Sequence, residues 1–242
     1  MSPVIEGAGV SLEYWVRGEG DFVVLVHGMG GTEWPDDLPG RLIGYARRGY
    51  GASGAPQPYV RTTVEEQAED AAAVLDPWAG VDAAAAPAVV VGDGLGALIA
   101  LDLARRHREL VRAVVAVDPP LFAFVPEAAE VLSAQRDELE RVMREEGPAE
   151  AVRRFVAAAG GSPERATWAA AAFRAFFADY GAPASWNVGR RELRALEVPL
   201  VVVESAEALP HVRAASEALA GVVPGAQRGE GVREAVESLG IR

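Results

Sequence analysis

The run Val89–His107, VVVGDGLGALIALDLARRH, constrains the fold more than any other part of this sequence. A strand-length apolar segment passes through Gly92-Asp93-Gly94-Leu95-Gly96 and enters an amphipathic helical pattern with no intervening loop. Strand, glycine turn and helix in immediate succession point to a parallel sheet with helices packed on it. The turn also has the outline of G-x-S-x-G, whose middle residue lifts a nucleophilic hydroxyl to the top of a sheet. Gly94 holds that middle position, so the turn has the shape for a nucleophile and no atom to serve as one.

The flanking chain repeats the same rhythm. Alternation over Val10–Val16 predicts an antiparallel strand. Phe22–His27, Arg41–Tyr45, Ala88–Gly92, Ala113–Val117 and Leu200–Glu204 read as short strands, several Val-rich enough to be covered on both faces. Helical patterns occupy Val64–Leu75, Leu95–His107 and Arg213–Val222. Between Asp118 and Asn187 the rhythm stops, leaving helical segments near Glu127–Glu146, Ala149–Ala159 and Pro163–Tyr180. The expected fold is therefore α/β, a doubly wound, mostly parallel sheet with a helical lid inserted at its C-terminal edge. Residues 1–118 and 188–242 would form the core and 119–187 the cap. Ala-rich Val81–Ala88 reads as a linker.

Composition narrows the chemistry. At 242 residues the chain suits one sizeable core. A formal charge of −12 argues against nucleic acid or an anionic membrane as partner. All 23 basic residues are arginines and there is no cysteine, which excludes a lysine Schiff base, a thiolate nucleophile and an Fe–S cluster. His27, His107 and His211 are too scattered for a metal-ligand spacing. GDGLG lacks the Lys of a phosphate loop and the third glycine of G-x-G-x-x-G, so no cofactor is expected. No bilayer-length apolar run and no signal-peptide pattern are present, so the expected location is cytoplasmic.

Taken in order, the landmarks resemble the α/β-hydrolase family. A strand ends in His27-Gly28-Met29-Gly30-Gly31, similar to that family's HG-x-x-G oxyanion loop. Tyr45–Ser53 (YARRGYGAS) resembles its D-x-R-G-x-G-x-S turn, and the elbow, Leu101–Val117 and Val198–Val203 follow as the family's later elements do. The departures fall where the family keeps its chemistry. Gly94 replaces the nucleophile, Glu204-Ser205-Ala206-Glu207 stands where the resemblance implies G-x-x-D, and Gly229-Glu230-Gly231-Val232 lacks the histidine of the C-terminal G-H. Ala46 replaces the turn's aspartate. Thr32–Gly40 (TEWPDDLPG), with two prolines, is too short for the helix usually found there.

Loss of a nucleophile or base costs a serine hydrolase about 10⁶ in turnover, leaving about 10³–10⁴ over water from binding and the oxyanion hole. Serine-type ester hydrolysis is therefore not expected. Asp93 and Asp118 are the candidate acid/base carboxylates, because each ends a buried strand where desolvation would raise its pKa. The competing readings are a helix cap for Asp93 and a turn role for Asp118. The resemblance places the oxyanion donors on the Met29 and Leu95 amides. Candidate substrate-binding residues are His27, Met29, Trp34, Gly94, Leu95, Phe122, Phe124, Phe177 and Trp186; His27 also reads as a structural residue of the HG loop.

An aromatic, weakly charged pocket suits an apolar or aromatic small molecule. Three functions follow: a non-hydrolytic enzyme promoting cyclisation, C–C or C–O bond formation or rearrangement; a pseudo-hydrolase that binds small molecules; or an atypical hydrolase using Asp-activated water. The lysine-free, Ala- and Arg-rich composition and the resemblance together imply specialised metabolism in a high-GC actinobacterium.

Overall fold

The computed structural model describes residues 3–79 and 87–241. Its elements run β1 (Val4–Glu6), β2 (Ser11–Arg17), β3 (Phe22–Val26), β4 (Arg41–Tyr45), α1 (Val64–Ala79), β5 (Ala88–Asp93), α2 (Leu95–Arg106) and β6 (Val111–Val117). Then come α3 (Ala128–Glu146), α4 (Pro148–Ala158), α5 (Pro163–Ala171), α6 (Phe173–Asp179), α7 (Ala182–Ser185) and α8 (Arg190–Arg194). The chain closes with β7 (Leu200–Val203), α9 (Pro210–Val222), β8 (Gln227–Gly229) and α10 (Val232–Ser238).

The eight strands form one sheet in the order β1-β2-β4-β3-β5-β6-β7-β8. β1 and β2 join antiparallel, and every pairing from β4 to β8 is parallel. Successive side chains of a strand point to opposite faces, and β3 divides accordingly. Phe22, Val24 and Val26 face one apolar cluster with α1, α2 and α9, whereas Val23 and Leu25 face another with α10. Both faces of the central strands are buried, which is why their sequences read as runs of valine rather than as alternation.

On the α10 face, the sheet is covered unevenly. The connection between β3 and β4 forms no helix and contributes Leu38 and half-buried Trp34 instead. The Trp15 side chain lies over Gly44, where any added Cβ would come within 2.2 Å of the indole.

The helices between β6 and β7 include no strand, as expected. The predicted helix over Pro163–Tyr180 is broken at Ala172, whose φ of −100° and ψ of 29° separate α5 from α6. α5 starts where Ser162 Oγ accepts the Arg165 amide at 3.1 Å and Pro163 takes a position needing no amide donor. α9 begins at Pro210, three residues before the expected start, for the same reason. β1 and β8 were not anticipated, since three-residue strands are too short for a periodic signal, and neither were the short helices α8 and α10. Of the expected linker, Val81–Ala86 lie outside the described residues and Ala88 already belongs to β5. Among the described residues no helix is long and apolar enough to cross a membrane.

Candidate active site

Parallel register brings three strand ends together. Val26 pairs with Gly92 and Asp93 pairs with Val117, so His27–Thr32, Asp93–Leu95 and Asp118 emerge side by side at the C-terminal edge. This is where open α/β sheets bind ligands.

The elbow keeps its geometry without its hydroxyl. Gly94 sits at φ 51°, ψ −118°, a conformation that side-chain-bearing residues rarely adopt. Glycine is obligatory on either side of it. A Cβ at Gly92 would fall 2.1 Å from Gly96 O, and one at Gly96 2.0 Å from Val26 O. At Gly94 itself a Cβ would meet nothing nearer than Gly28 Cα at 3.9 Å, an ordinary van der Waals contact, so the position has room for one. The Gly94 amide donates to Val117 O, but the Met29 and Leu95 amides donate to no group among the described residues.

Asp93 does not cap α2: the cap position is Gly94, and no side chain bonds the helix start. Its Oδ2 instead accepts the Thr32 hydroxyl at 2.6 Å, and Thr32 Oγ1 in turn accepts the Gly28 amide at 2.9 Å. Two segments 61 residues apart are thereby joined through one hydroxyl whose proton direction is fixed. Burial raises the Asp93 pKa and the Asp118 charge adds to the rise, while the Thr32 bond, Arg165 and Arg47 act the other way.

His27 is held in one tautomer. Nδ1 donates to Gly28 O at 2.8 Å, and Nε2 accepts the Arg47 amide at 3.0 Å. Burial, then the Arg47 guanidinium, keeps its pKa well below the usual value. Arg47, which sequence reasoning passed over, is the hub of this region. Its Nε and Nη2 donate to His27 O at 2.8 Å and Gly28 O at 2.9 Å, Nη1 donates to Gln67 Oε1, and Nη2 pairs with Asp179. Asp179 also accepts the Tyr50 hydroxyl at 2.8 Å and Gln67 Nε2 at 2.9 Å. The loop after β3 is therefore braced through one buried guanidinium to α6.

Asp118 has a φ of 45°, which aspartate tolerates better than most residues. Its Oδ1 accepts the Ser205 amide at 3.1 Å and its amide donates to Val203 O, clipping β6 to the chain leaving β7. Glu204 pairs with Arg228 and Arg213 at the surface. His107 contacts Glu69 at a helix end, and the His211 ring lies 5.4 Å from Phe122. No histidine is hydrogen-bonded to Asp93 or Asp118 among the described residues.

Residues 23–236 match the family described as "Alpha/beta hydrolase family". The chain belongs to that family. It is also similar to an uncharacterized hydrolase, YraK, of Bacillus subtilis, with 31% identity over 125 residues. That match spans 47% of this chain and 42% of YraK, so under half of the relative's length is covered. An N-acyl homoserine lactone degrading enzyme superposes with a TM-score of 0.63 at 25% identity, over 98% of this chain and 95% of that one. An esterase from Thermogutta terrifontis superposes at 0.67 with 22% identity, over 94% and 88%, which speaks to the fold alone.

Against this family background the remaining candidates separate. Met29 is half-buried and touches both the sheet core and the cluster of α3 to α6. The Leu95 side chain is buried in the core, so only its amide is available. Phe122 packs on His211, Phe124 lies under the Arg190 guanidinium at 4.5 Å, and Phe177 packs on Phe176. Trp186, expected in the pocket, is instead a core anchor: it is buried and its Nε1 donates to Asp102 at 3.1 Å. Trp34 borders a groove that His27 and Thr32 also line but Gly94 does not.

Proposed function

We propose that this alpha/beta-hydrolase-fold chain is an enzyme that does not form an acyl-enzyme and that acts on an apolar or aromatic small molecule bearing a carbonyl. The observation that carries this is the pair of undonated amides, Met29 and Leu95, beside a residue with no side chain and a carboxylate held by Thr32. A carbonyl oxygen would lie on the two amides. Ionised Asp93 would take a proton from the adjacent carbon, the negative charge moving to the oxygen, and protonated Asp93 would return it at a later position. Cyclisation, C–C or C–O bond formation and rearrangement are all open to such an enolate. Asp118, engaged with Ser205, acts here as a positioning group. Residues 119–187 serve as the cap and the rest as the core.

A second reading is a small-molecule binding protein. It is favoured by His27 and Asp118 both being bound by backbone groups, which leaves Asp93 without a partner base.

The test is mass spectrometry of small-molecule extract from the source organism, incubated with wild type and Asp93→Asn in ¹⁸O-labelled water. A feature converted by wild type alone, with no ¹⁸O and no gain of water, supports the enzyme reading. Incorporation of ¹⁸O would replace it with Asp-assisted hydrolysis, and a metabolite retained unchanged by both proteins would favour the binding protein.

A further inference from the structure

Three donors converge on Gly28 O. His27 Nδ1 donates to it at 2.8 Å, Arg47 Nη2 at 2.9 Å and the Gly31 amide at 3.2 Å. A backbone carbonyl has two lone pairs, so this oxygen is saturated, and one of its donors carries a full charge.

Arg47 arranges two of the three. Its guanidinium binds the oxygen directly. Its backbone amide donates to His27 Nε2 at 3.0 Å, which leaves the ring proton on Nδ1, the atom facing Gly28 O. Arg47 Nε also holds the preceding carbonyl, His27 O, at 2.8 Å.

The other end of the same peptide is the Met29 N–H. In a trans peptide the C=O and N–H point in opposite directions, so with the oxygen turned toward Arg47 and His27 the N–H is turned away from both. Gly28 itself lies against the elbow: a Cβ there would fall 2.9 Å from Asp93 Oδ2 and 3.0 Å from Asp93 O. The peptide group is conjugated, so donors that draw electrons to its oxygen leave the nitrogen more positive and its proton a stronger donor. Leu95 differs. The carbonyl of its peptide, Gly94 O, accepts the neutral Ala97 amide at 2.9 Å.

We propose that Arg47 is a positioning residue that orients and polarises the Gly28–Met29 peptide, making the Met29 N–H the stronger of the two carbonyl-binding amides. This rests on the role given above to Met29 and Leu95, and it divides that role unequally: Met29 takes more of the charge developing on the substrate oxygen. Asp179 sets the strength, since its carboxylate, 2.8 Å from Nη2, offsets part of the charge that reaches Gly28 O.

Amide hydrogen exchange, followed by NMR on the ligand-free protein at constant pH, tests the polarisation without a substrate, because base-catalysed exchange follows the acidity of the N–H. Arg47→Met with Asp179→Leu removes both charges, and Met29 exchange is expected to slow about tenfold with Leu95 unchanged. Asp179→Asn keeps the guanidinium and removes its counter-charge, so Met29 exchange is expected to quicken about threefold. A purely structural role would loosen the loop and quicken exchange in both variants. Unchanged or quickened exchange in the double variant, or an equal change at Leu95, overturns the proposal.

Titration with 4-nitrophenolate, a stand-in for the oxyanion, against uncharged 4-nitroanisole separates the proposal from the reading beneath it. The phenolate is expected to shift the Met29 amide more than the Leu95 amide, with the preference lost in the double variant. A preference for Leu95, or none, overturns the proposal. No shift at either amide, with the exchange contrast intact, would sink the carbonyl-binding reading and leave the polarisation standing.

Discussion

Arg47 Nη2 lies 2.8 Å from Asp179 Oδ2, across 132 positions of sequence, with both side chains closed to solvent. The pair joins the turn after β4 to α6, and further hydrogen bonds tie it to His27 O and Gly28 O of the loop after β3, to Gln67 and to Tyr50. Desolvating two charges is costly, and the bonds around them offset much of that cost.

Removing one partner should therefore cost far more than removing both. Asp179→Ala is expected to destabilise by about 3–5 kcal/mol, because it strands a buried guanidinium. Arg47→Met with Asp179→Leu should recover a good part of that loss. Urea unfolding of the single and double variants measures the difference.

Gly94 and its neighbours should respond to very different degrees to the same substitution. Gly94→Ala has room for its Cβ and meets only backbone strain, so a loss of about 1–3 kcal/mol is expected. Gly92→Ala and Gly96→Ala would drive a methyl into backbone and should fail to fold. Gly94→Ser should fold and remain unlabelled by a fluorophosphonate probe, since no histidine stands by to activate it. Thermal unfolding and probe labelling check the set.

The raised pKa of Asp93 sets the sign of a pH effect. Between the unfolded value and the raised folded value, the native state binds more protons, so this carboxylate lowers stability progressively as pH rises. Asp93→Asn keeps an acceptor for Thr32 and removes the charge. It should be more stable than wild type above the folded pKa, with the advantage disappearing in acid. Thr32→Val should raise the Asp93 pKa further, by removing the bond that favours the ionised form, whereas Thr32→Ser should not. Carboxyl ¹³C titration reads both.

His27 behaves in the reverse sense. Its folded pKa lies below its unfolded one, so the unfolded chain binds the extra proton, and stability is lost as pH falls through the ordinary histidine range. Ring ¹⁵N shifts should report the Nδ1–H tautomer at neutral pH and no titration there. A normal titration near 6.5 would be incompatible with the two bonds at the ring.

How far the sequence was legible depended on the range of the interactions. The sheet could be read because β3, β5, β6 and β7 are buried on both faces, and unbroken valine is the local trace of that. The elbow could be read because its three glycines lie within five consecutive residues between a strand pattern and a helix pattern. Thr32 and Asp179 could not, because each matters through a partner 61 or 132 positions away and looks ordinary in its own segment. Arg47 left one trace, an arginine doublet inside a glycine-rich turn. Trp186 was misassigned because an aromatic near a helical insertion looks the same whether it lines a pocket or reaches a buried aspartate.

The contacts of Gly92 and Gly96 leave no room for a side chain, while Gly94 bends the backbone at φ 51° and has room for one. The turn thus separates the positions that must stay bare from the one that can carry chemistry. For a protein engineer it is a ready mounting point: a designed amino acid inserted at this one position would project beside two idle amides without any rebuilding of the scaffold.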